Sequence, residues 1–307
     1  MPSKFRRLED IIGQKVRRDI SRLRIHAEGH LETVARSIMN TPNAHVGIVT
    51  GFFIRHAIPP SPETDGLGGM AHMAAGLANC GIPVTVISDA PCAKAVWAVT
   101  QALPKKVDLE IASVSERSVR ALRQRLAAGQ RPITHMIAIE RVSPGSDGKP
   151  HRETGWDMSD DTAPLDLLFQ DRRWEKPWIT IGIGDGGNEI GMGLVPREIL
   201  ASDIPNGELI GAATAADHLI VAGVSNWGGF GLLCAMALVS QQHAGPLLSD
   251  FTAEMDKKYL IAAVEIGQAV DDSSVERPGR PQMSVDRLPW ERHAEMIEEL
   301  KSCLRQA

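Results

Sequence analysis

The sequence predicts an α/β fold: a mostly parallel sheet with helices on both faces, entered through a helical N-terminal segment. Two observations lead there. From His45 onward, short apolar runs (AHVGIVTG, IPVTVISD, KKVDLEIAS, ITHMIAIE, PWITIGIGD and HLIVAGVSN) recur along the chain. Between them lie alanine-rich stretches without proline, Gly66 to Cys80, Ala93 to Leu103 and Glu116 to Ala127, each long enough for a crossover helix. Strands alternating with helical stretches build a parallel sheet covered by helices.

The elements follow in order. Leu8 to Asn40 reads as helical, and Leu31, Val34, Ala35 and Ile38 have the three-to-four spacing of a buried stripe. Residues 1–44 are therefore an N-terminal helical segment, and 45–307 the α/β unit. After the sixth strand, Trp227 to Gln242, Leu248 to Ala262 and Pro289 to Arg305 read as helices. The apolar stripe at Met296 and Leu300 in the last would serve as a dimer seam in a homo-oligomer or, the preferred reading, in packing onto the sheet. Two long irregular segments remain, Arg141 to Pro164 and Val270 to Leu288, the second with Pro278, Gly279 and Pro281. Loops of this length are uncommon in compact domains and are usually functional or disordered. The first is read as an active-site loop; the second would equally be a mobile surface excursion.

Bulk properties narrow the function. At 307 residues the chain can bury a substantial core, in one large domain or two lobes, two being preferred. Apolar residues are 43% and charged residues 23%, the balance of a globular protein. A net charge of −5 argues against nucleic acid. The early basic residues Lys4, Arg6, Arg7, Lys15, Arg17, Arg18, Arg22 and Arg24 are interrupted by Glu9, Asp10 and Asp19, and are read as a solvated helical face. Cys80, Cys92, Cys234 and Cys303 are far apart, which suits a reducing cytoplasm and suggests neither a zinc site nor a disulfide framework. No run approaches a bilayer span and no secretory signal is visible, so no membrane association is expected.

The chemistry is expected at the strand ends. Gly51, Asp89, Glu140 and Asp185 each follow a strand, and ligands of open α/β sheets bind in the crevice outside those ends. Asp89, before Ala90 and Pro91, reads as a helix cap. Asp185 lies among Gly182, Gly184, Gly186, Gly187, Asn188, Glu189, Gly191 and Gly193, a density of glycine needed where backbone turns sharply or approaches a ligand. The run satisfies G-x-G-x-x-G from Gly182, but Asn188 and Glu189, expected in the incoming helix, put oxygens where a pyrophosphate needs donors. A metal or amino-acid site is therefore preferred, and no organic cofactor is expected.

A second cluster, Glu63, Thr64, Asp65, Gly66, Gly68 and Gly69, follows the stiff run Pro59, Pro60, Ser61, Pro62 and delivers two carboxylates to a helix start. One would suffice as a cap. Two, facing Asp185 and Glu189, suggest oxygen ligands to Mg²⁺ or Mn²⁺. Thr64, Gly66, Gly186, Gly187 and Asn188 are read as substrate-binding. Ser225 and Asn226, before Gly228, Gly229 and Gly231, either cap and pack a glycine-faced helix or offer N–H groups to a carboxylate or phosphate. No G-x-S-x-G elbow occurs. Among the histidines, His56 and His72 near the Glu63 cluster and His151 in the 141–164 loop are the candidates, with an ordinary surface or core role as the alternative for each.

The runs PETDGLGG, IAIERVSPGSDGK, GIGDGGNEIGMG, VAGVSNWGGFGLLCAMAL and SVDRLPWERHAEMI resemble the C-terminal domain of the D-glutamate cyclase family, from about Gly47 to the end. The resemblance implies a lyase that dehydrates D-glutamate to 5-oxo-D-proline; animal members of the family carry a further N-terminal domain that this chain is expected to lack. It departs from the family at Val285, Asp286, Arg287, where Val-Asp-Gly is usual, and at Asp271, Asp272, Ser273, Ser274. For this chemistry Glu63, Asp65, Asp185 and Glu189 are the expected metal ligands and Glu140 the general base; Glu140, Asp185 and Glu189 form the expected catalytic group. The same constellation suits a metal-dependent phosphohydrolase acting on a phosphorylated metabolite. A non-catalytic domain that binds a small acidic ligand is the third reading.

Overall fold

The computed structural model describes residues 2–16, 18–170, 177–271 and 282–305. Three helices, α1 (Lys4–Ile12), α2 (Ser21–Ile25) and α3 (His30–Asn40), replace the long helical entry expected from the sequence. Gly13 ends the first. Gly29, at φ +79°, starts the third, and a left-handed residue cannot continue a helix. The α3 stripe of Leu31, Val34, Ala35 and Ile38 is fully buried, as its spacing predicts.

There follow β1 (Val46–Thr50), the small hairpin β2 (Phe53–Ile54) and β3 (Ser61–Pro62), α4 (Leu67–Asn79), β4 (Val84–Asp89), α5 (Ala93–Gln101), β5 (Asp108–Ala112), α6 (Glu116–Ala128), β6 (His135–Ile139) and β7 (Ile179–Gly184). Beyond these come α7 (Arg197–Asp203), α8 (Gly207–Ile210), β8 (His218–Val221), α9 (Ser225–Val239), α10 (Gln241–Leu248) and α11 (Ala253–Ile261). A second hairpin, β9 (Ser284–Val285) and β10 (Leu288–Pro289), precedes α12 (Trp290–Arg305). All six apolar runs are strands of one parallel sheet, in the order β5-β4-β1-β6-β7-β8.

Strand faces alternate with period two. Val46, Ile48, Ile137, Ile139, Ile181 and Ile183 face α4 and α9, in a core that α1, α3 and α12 share. Val49, Ile87, Met136 and Ala138 face α6 and a 3₁₀ turn at Leu165–Leu168. Thus helices cover both faces. Met296 and Leu300 are fully buried in the first core, so the α12 stripe packs inward. The expected helix 248–262 starts later, as α11 from Ala253, where Thr252 Oγ1 accepts from Met255 N as an N-cap, and a further helix, α10, fills the stretch between it and α9.

The order of strands is what positions the site. The chain builds outward from β1 through β4 to β5, then returns to β6 on the other side of β1 and proceeds to β8. The reversal opens a crevice between the C-terminal ends of β1 and β6, the switch point at which doubly wound sheets bind ligands.

Candidate carboxylate site at the switch point

Three carboxylates meet in that crevice. Asp65, Glu140 and Asp185 each offer an oxygen within 4.8 Å of the other two. Asp65 arrives from the β3–α4 junction, Glu140 from the residue after β6, and Asp185 from the residue after β7. Glu140 takes φ +45°, a left-handed conformation uncommon for a residue with a Cβ. Gly66 has φ +80°, and a Cβ there would fall 2.6 Å from Glu140 Cβ and 2.9 Å from Thr50 Oγ1, so only glycine brings the start of α4 against the end of β6. Gly66 therefore serves the site by making room.

Asp65 does not cap its own helix alone. Its Oδ1 accepts from Gly66 N (2.8 Å) and Asn226 N (3.0 Å), and its Oδ2 from Ser225 N (3.1 Å). The N-terminus of α9 is thus stabilised by a carboxylate from another element. Asn226 Oδ1 in turn accepts from Gly69 N (2.7 Å), and Gly229 lies against the Gly69 backbone, where an added Cβ would sit 2.8 Å from Gly69 Cα. For Ser225 and Asn226 these contacts realise the capping and close-packing alternative, because the N–H groups expected to receive a substrate anion are taken by Asp65. Ser225 keeps a polar role of another kind: its Oγ donates to Glu140 Oε2 at 2.6 Å.

Burial and mutual repulsion raise the proton affinity of all three acids. Asp65 is pushed up to about 7, by burial first and the nearby Asp286 carboxylate second, against the pull of its backbone donors. Glu140 is raised well above the ordinary glutamate value, by burial and then by Asp185 and Glu189. Asp185 is raised likewise, by desolvation and then by Asp286, Asp65 and Glu189, with Arg18 opposing. Such a trio is stable when it shares protons or a cation.

The glycine loop after β7 differs from its expected form. No helix follows Gly184 until α7, so Asn188 and Glu189 lie in a loop rather than an incoming helix. The reason is Glu189. Its Oε1 accepts from Asp185 N (3.2 Å) and Gly186 N (2.5 Å), and its Oε2 from Gly187 N (2.7 Å), folding the loop around one carboxylate. Glu189 is therefore a brace within the loop and not one of the three clustered acids, and the N–H groups of Gly186 and Gly187 are engaged by it rather than offered to a substrate. Several glycines answer to the same geometry: a Cβ at Gly184 would lie 2.9 Å from Glu189 Cδ, and one at Gly182 would lie 2.4 Å from Ile190 O. Asn188 Nδ2 donates to His151 O (2.9 Å), and Ser143 N donates to Asn188 O (2.8 Å), so Asn188 ties the 141–164 loop to this one while lining the pocket.

Glu63 lines the same pocket. Thr64 does not face it: Thr64 Oγ1 donates to Ser284 O (3.0 Å) and Thr64 N donates to Val270 O (2.9 Å), which fastens the second long segment to the start of α4. Asp286, in the segment that would equally have been a surface excursion, also lines the pocket. It occupies the two-residue turn between β9 and β10 with Arg287, at φ +47° and +66°, a left-handed pair that hairpins usually fill with Asn-Gly or similar residues. Arg287 N donates to Asp271, which anchors the turn. Asp272, Ser273, Ser274, Pro278, Gly279 and Pro281, like Arg17, lie outside the described residues.

Two arginines complete the lining, Arg18 and Arg152. Arg18 was read as part of a solvated helical face; it stands instead between α1 and α2, paired with Glu153 and facing Asp185, Glu189 and Asp286. Burial works against its charge, and these carboxylates outweigh that, holding its pKa above the ordinary arginine value. The neighbouring cations do form surface pairs, Arg6 with Glu28, Arg22 with Asp203 and Arg24 with Asp10.

Other polar residues around the strand ends serve the frame. Asp89 caps Cys92 N (3.3 Å), as expected, and also accepts from Ala163 N (3.0 Å) and from buried Arg141 (2.5 Å). Arg141 further donates to Gly51 O and Ala163 O, each at 2.7 Å, so it pins β1, β4 and the long loop together. Arg55 pairs with Asp161 at the surface. His151 bonds Asp147 and Gly155 O, His56 lies against Arg152, and His72 is packed among Phe230, Phe251 and Tyr259.

Fold and site together define a doubly wound α/β protein with a buried acidic site at its switch point. The chain belongs to the D-glutamate cyclase-like, C-terminal family, whose profile matches residues 8–301, from within α1 onward. A human relative, "D-glutamate cyclase, mitochondrial", is 28% identical over 89% of this chain; the alignment covers 48% of that protein, so the chain spans about half its length. Among the described residues no helix is long and apolar enough to cross a membrane.

Proposed function

We propose that the chain is a lyase that dehydrates D-glutamate to 5-oxo-D-proline with the assistance of a divalent cation, Mg²⁺ or Mn²⁺, and that it acts in the cytoplasm. The observation that carries this reading is the convergence of Asp65, Glu140 and Asp185 within 4.8 Å at the switch point of a chain in this family. Three desolvated acids repel one another when ionised, and a hard cation bound through oxygen relieves that repulsion.

In the reaction the α-amine nitrogen attacks the γ-carboxyl carbon; a C–N bond forms and one γ-oxygen leaves as water. Asp65 and Asp185 are the residues that would hold the cation, which supplies Lewis-acid polarisation of the carboxyl group. Glu140 handles the proton. Its Oε2 is held by Ser225 Oγ, which fixes the carboxyl group in the cluster, and its raised pKa suits a carboxylate that takes the two protons nitrogen loses, one after the other, and passes each to the oxygen that departs as water. Asp65 is positioned by the N-terminus of α9, and Asp185 by the loop that Glu189 braces.

Incubation with D-glutamate tests the proposal directly. Turnover to 5-oxo-D-proline, lost by at least about 100-fold in Asp185→Asn, is the expected result. Phosphate release from phosphate esters without cyclisation would instead favour a phosphohydrolase, and ligand binding without turnover a regulatory module.

A further inference from the structure

Arg18 stands on a segment that no regular element carries, yet its position is fixed from behind. Gly223 N donates to Ile12 O (2.8 Å), and a Cβ at Gly223 would strike Gln14 O at 2.1 Å and approach Val16 Cγ2 at 3.2 Å. Residues 12–16 therefore lie directly on the loop between β8 and α9, and Arg18 stands beside Asp185 at the strand ends. Gly186 leaves room for the guanidinium, since a Cβ there would fall 2.6 Å from Arg18 Nη1.

The partner of Arg18 is Glu153, from the 141–164 loop, and both line the acidic pocket. Their side chains remain 21% and 41% exposed. A pair this open contributes little to holding a fold together; Arg18 offsets the charge of Asp185, Glu189 and Asp286, and its exposed part faces the same pocket, where a ligand can reach it. Arg152, the other arginine of the lining, is directed at His56.

We propose that Arg18 receives the carboxylate of the substrate that does not react, and that Glu153 occupies the guanidinium in the ligand-free protein. The proposal rests on the cyclase reading and names its substrate class: an α-amino acid with a second, distal carboxyl group. Such a molecule presents an amine and a distal carboxyl to the Asp65, Glu140 and Asp185 cluster and one further carboxylate beside the amine. A planar guanidinium matches that carboxylate with two parallel hydrogen bonds. Glu153, a carboxylate on a flexible stem, makes the equivalent contact until substrate displaces it.

Calorimetric titration and steady-state turnover of the full chain, with D-glutamate and with 4-aminobutanoate, test this. The second ligand keeps the amine and distal carboxyl but lacks the α-carboxylate. Arg18→Gln is expected to weaken D-glutamate binding and raise its KM about 10- to 100-fold, the range for losing one charge-assisted pair, and to close the gap in affinity between the two ligands. Arg18→Lys recovers part of the loss. Glu153→Gln tightens D-glutamate about 2- to 5-fold by removing the competitor, an effect that vanishes when Arg18→Gln is added. If Arg18→Gln fails to fold, Arg18→Lys and Glu153→Gln carry the same comparison.

Unchanged D-glutamate affinity in folded Arg18 variants overturns the assignment and leaves the cyclase reading standing. Arg18-dependent binding without 5-oxo-D-proline formation supports the assignment and overturns the cyclase reading. A wild-type protein that binds no D-glutamate overturns both.

Discussion

Glu189→Gln separates a brace from a metal ligand. In the wild type two oxygens accept three backbone N–H groups, at 3.2 and 2.5 Å on Oε1 and 2.7 Å on Oε2. Glutamine keeps one acceptor. In the less costly orientation its amide nitrogen takes the Oε2 place and orphans Gly187 N–H, a buried donor whose loss of partner costs about 1–3 kcal/mol. The two surviving bonds become neutral and lose roughly half their strength, adding about 1 kcal/mol. The variant should therefore unfold about 2–4 kcal/mol more easily by urea titration. Affinity for Mg²⁺ or Mn²⁺, measured by calorimetry at a temperature where the variant is folded, should fall far less than in Asp185→Asn. The reasoning is refuted if Glu189→Gln leaves stability within about 0.5 kcal/mol of wild type while abolishing cation binding.

Two further predictions concern the frame of the site. Arg141→Met removes donors to Asp89, Gly51 O and Ala163 O and strands a buried carboxylate, so it should cost about 3–5 kcal/mol in urea unfolding, with Asp89→Asn in the same chain restoring part of that. His135 is buried and its pKa is lowered to about 4, by burial first and by His218 second. A folded value below the unfolded 6.5 means that the unfolded chain binds the proton first. The stability His135 contributes is complete above pH 6.5 and declines as pH falls through 4, with a slope of up to about 1.4 kcal/mol per pH unit. Denaturation curves between those limits should lose that slope in His135→Gln.

Much of the frame was legible because it is local. Each strand is a short apolar run with its helix beside it in the chain, so alternation predicted all six strands and the three crossover helices. The acids at the strand ends were legible for the same reason, since Glu140 and Asp185 follow their strands directly. What escaped was non-local. Nothing near Asp65 in sequence indicates that its partners are Ser225 and Asn226. Glu189 looked like a helical residue because glycine-rich turns before a helix and a loop wound around one carboxylate share the same letters. Arg18 was lost in a run of cations whose helical reading ignored Gly13, and Gly13 was the available signal, for it ends α1 before Arg18 is reached. Asp286 carried a signal too: in SVDRLP a two-residue turn separates short strands, so its side chain projects from a hairpin tip.

The central claim is that a cation held in the acidic cluster is needed to cyclise D-glutamate. Metal analysis of the purified protein, with 5-oxo-D-proline formation followed before chelation, after it and after readdition of Mg²⁺ or Mn²⁺, tests it most directly. The account predicts bound divalent metal, loss of turnover on chelation and its return on readdition. Turnover that persists undiminished in protein stripped of metal would contradict it.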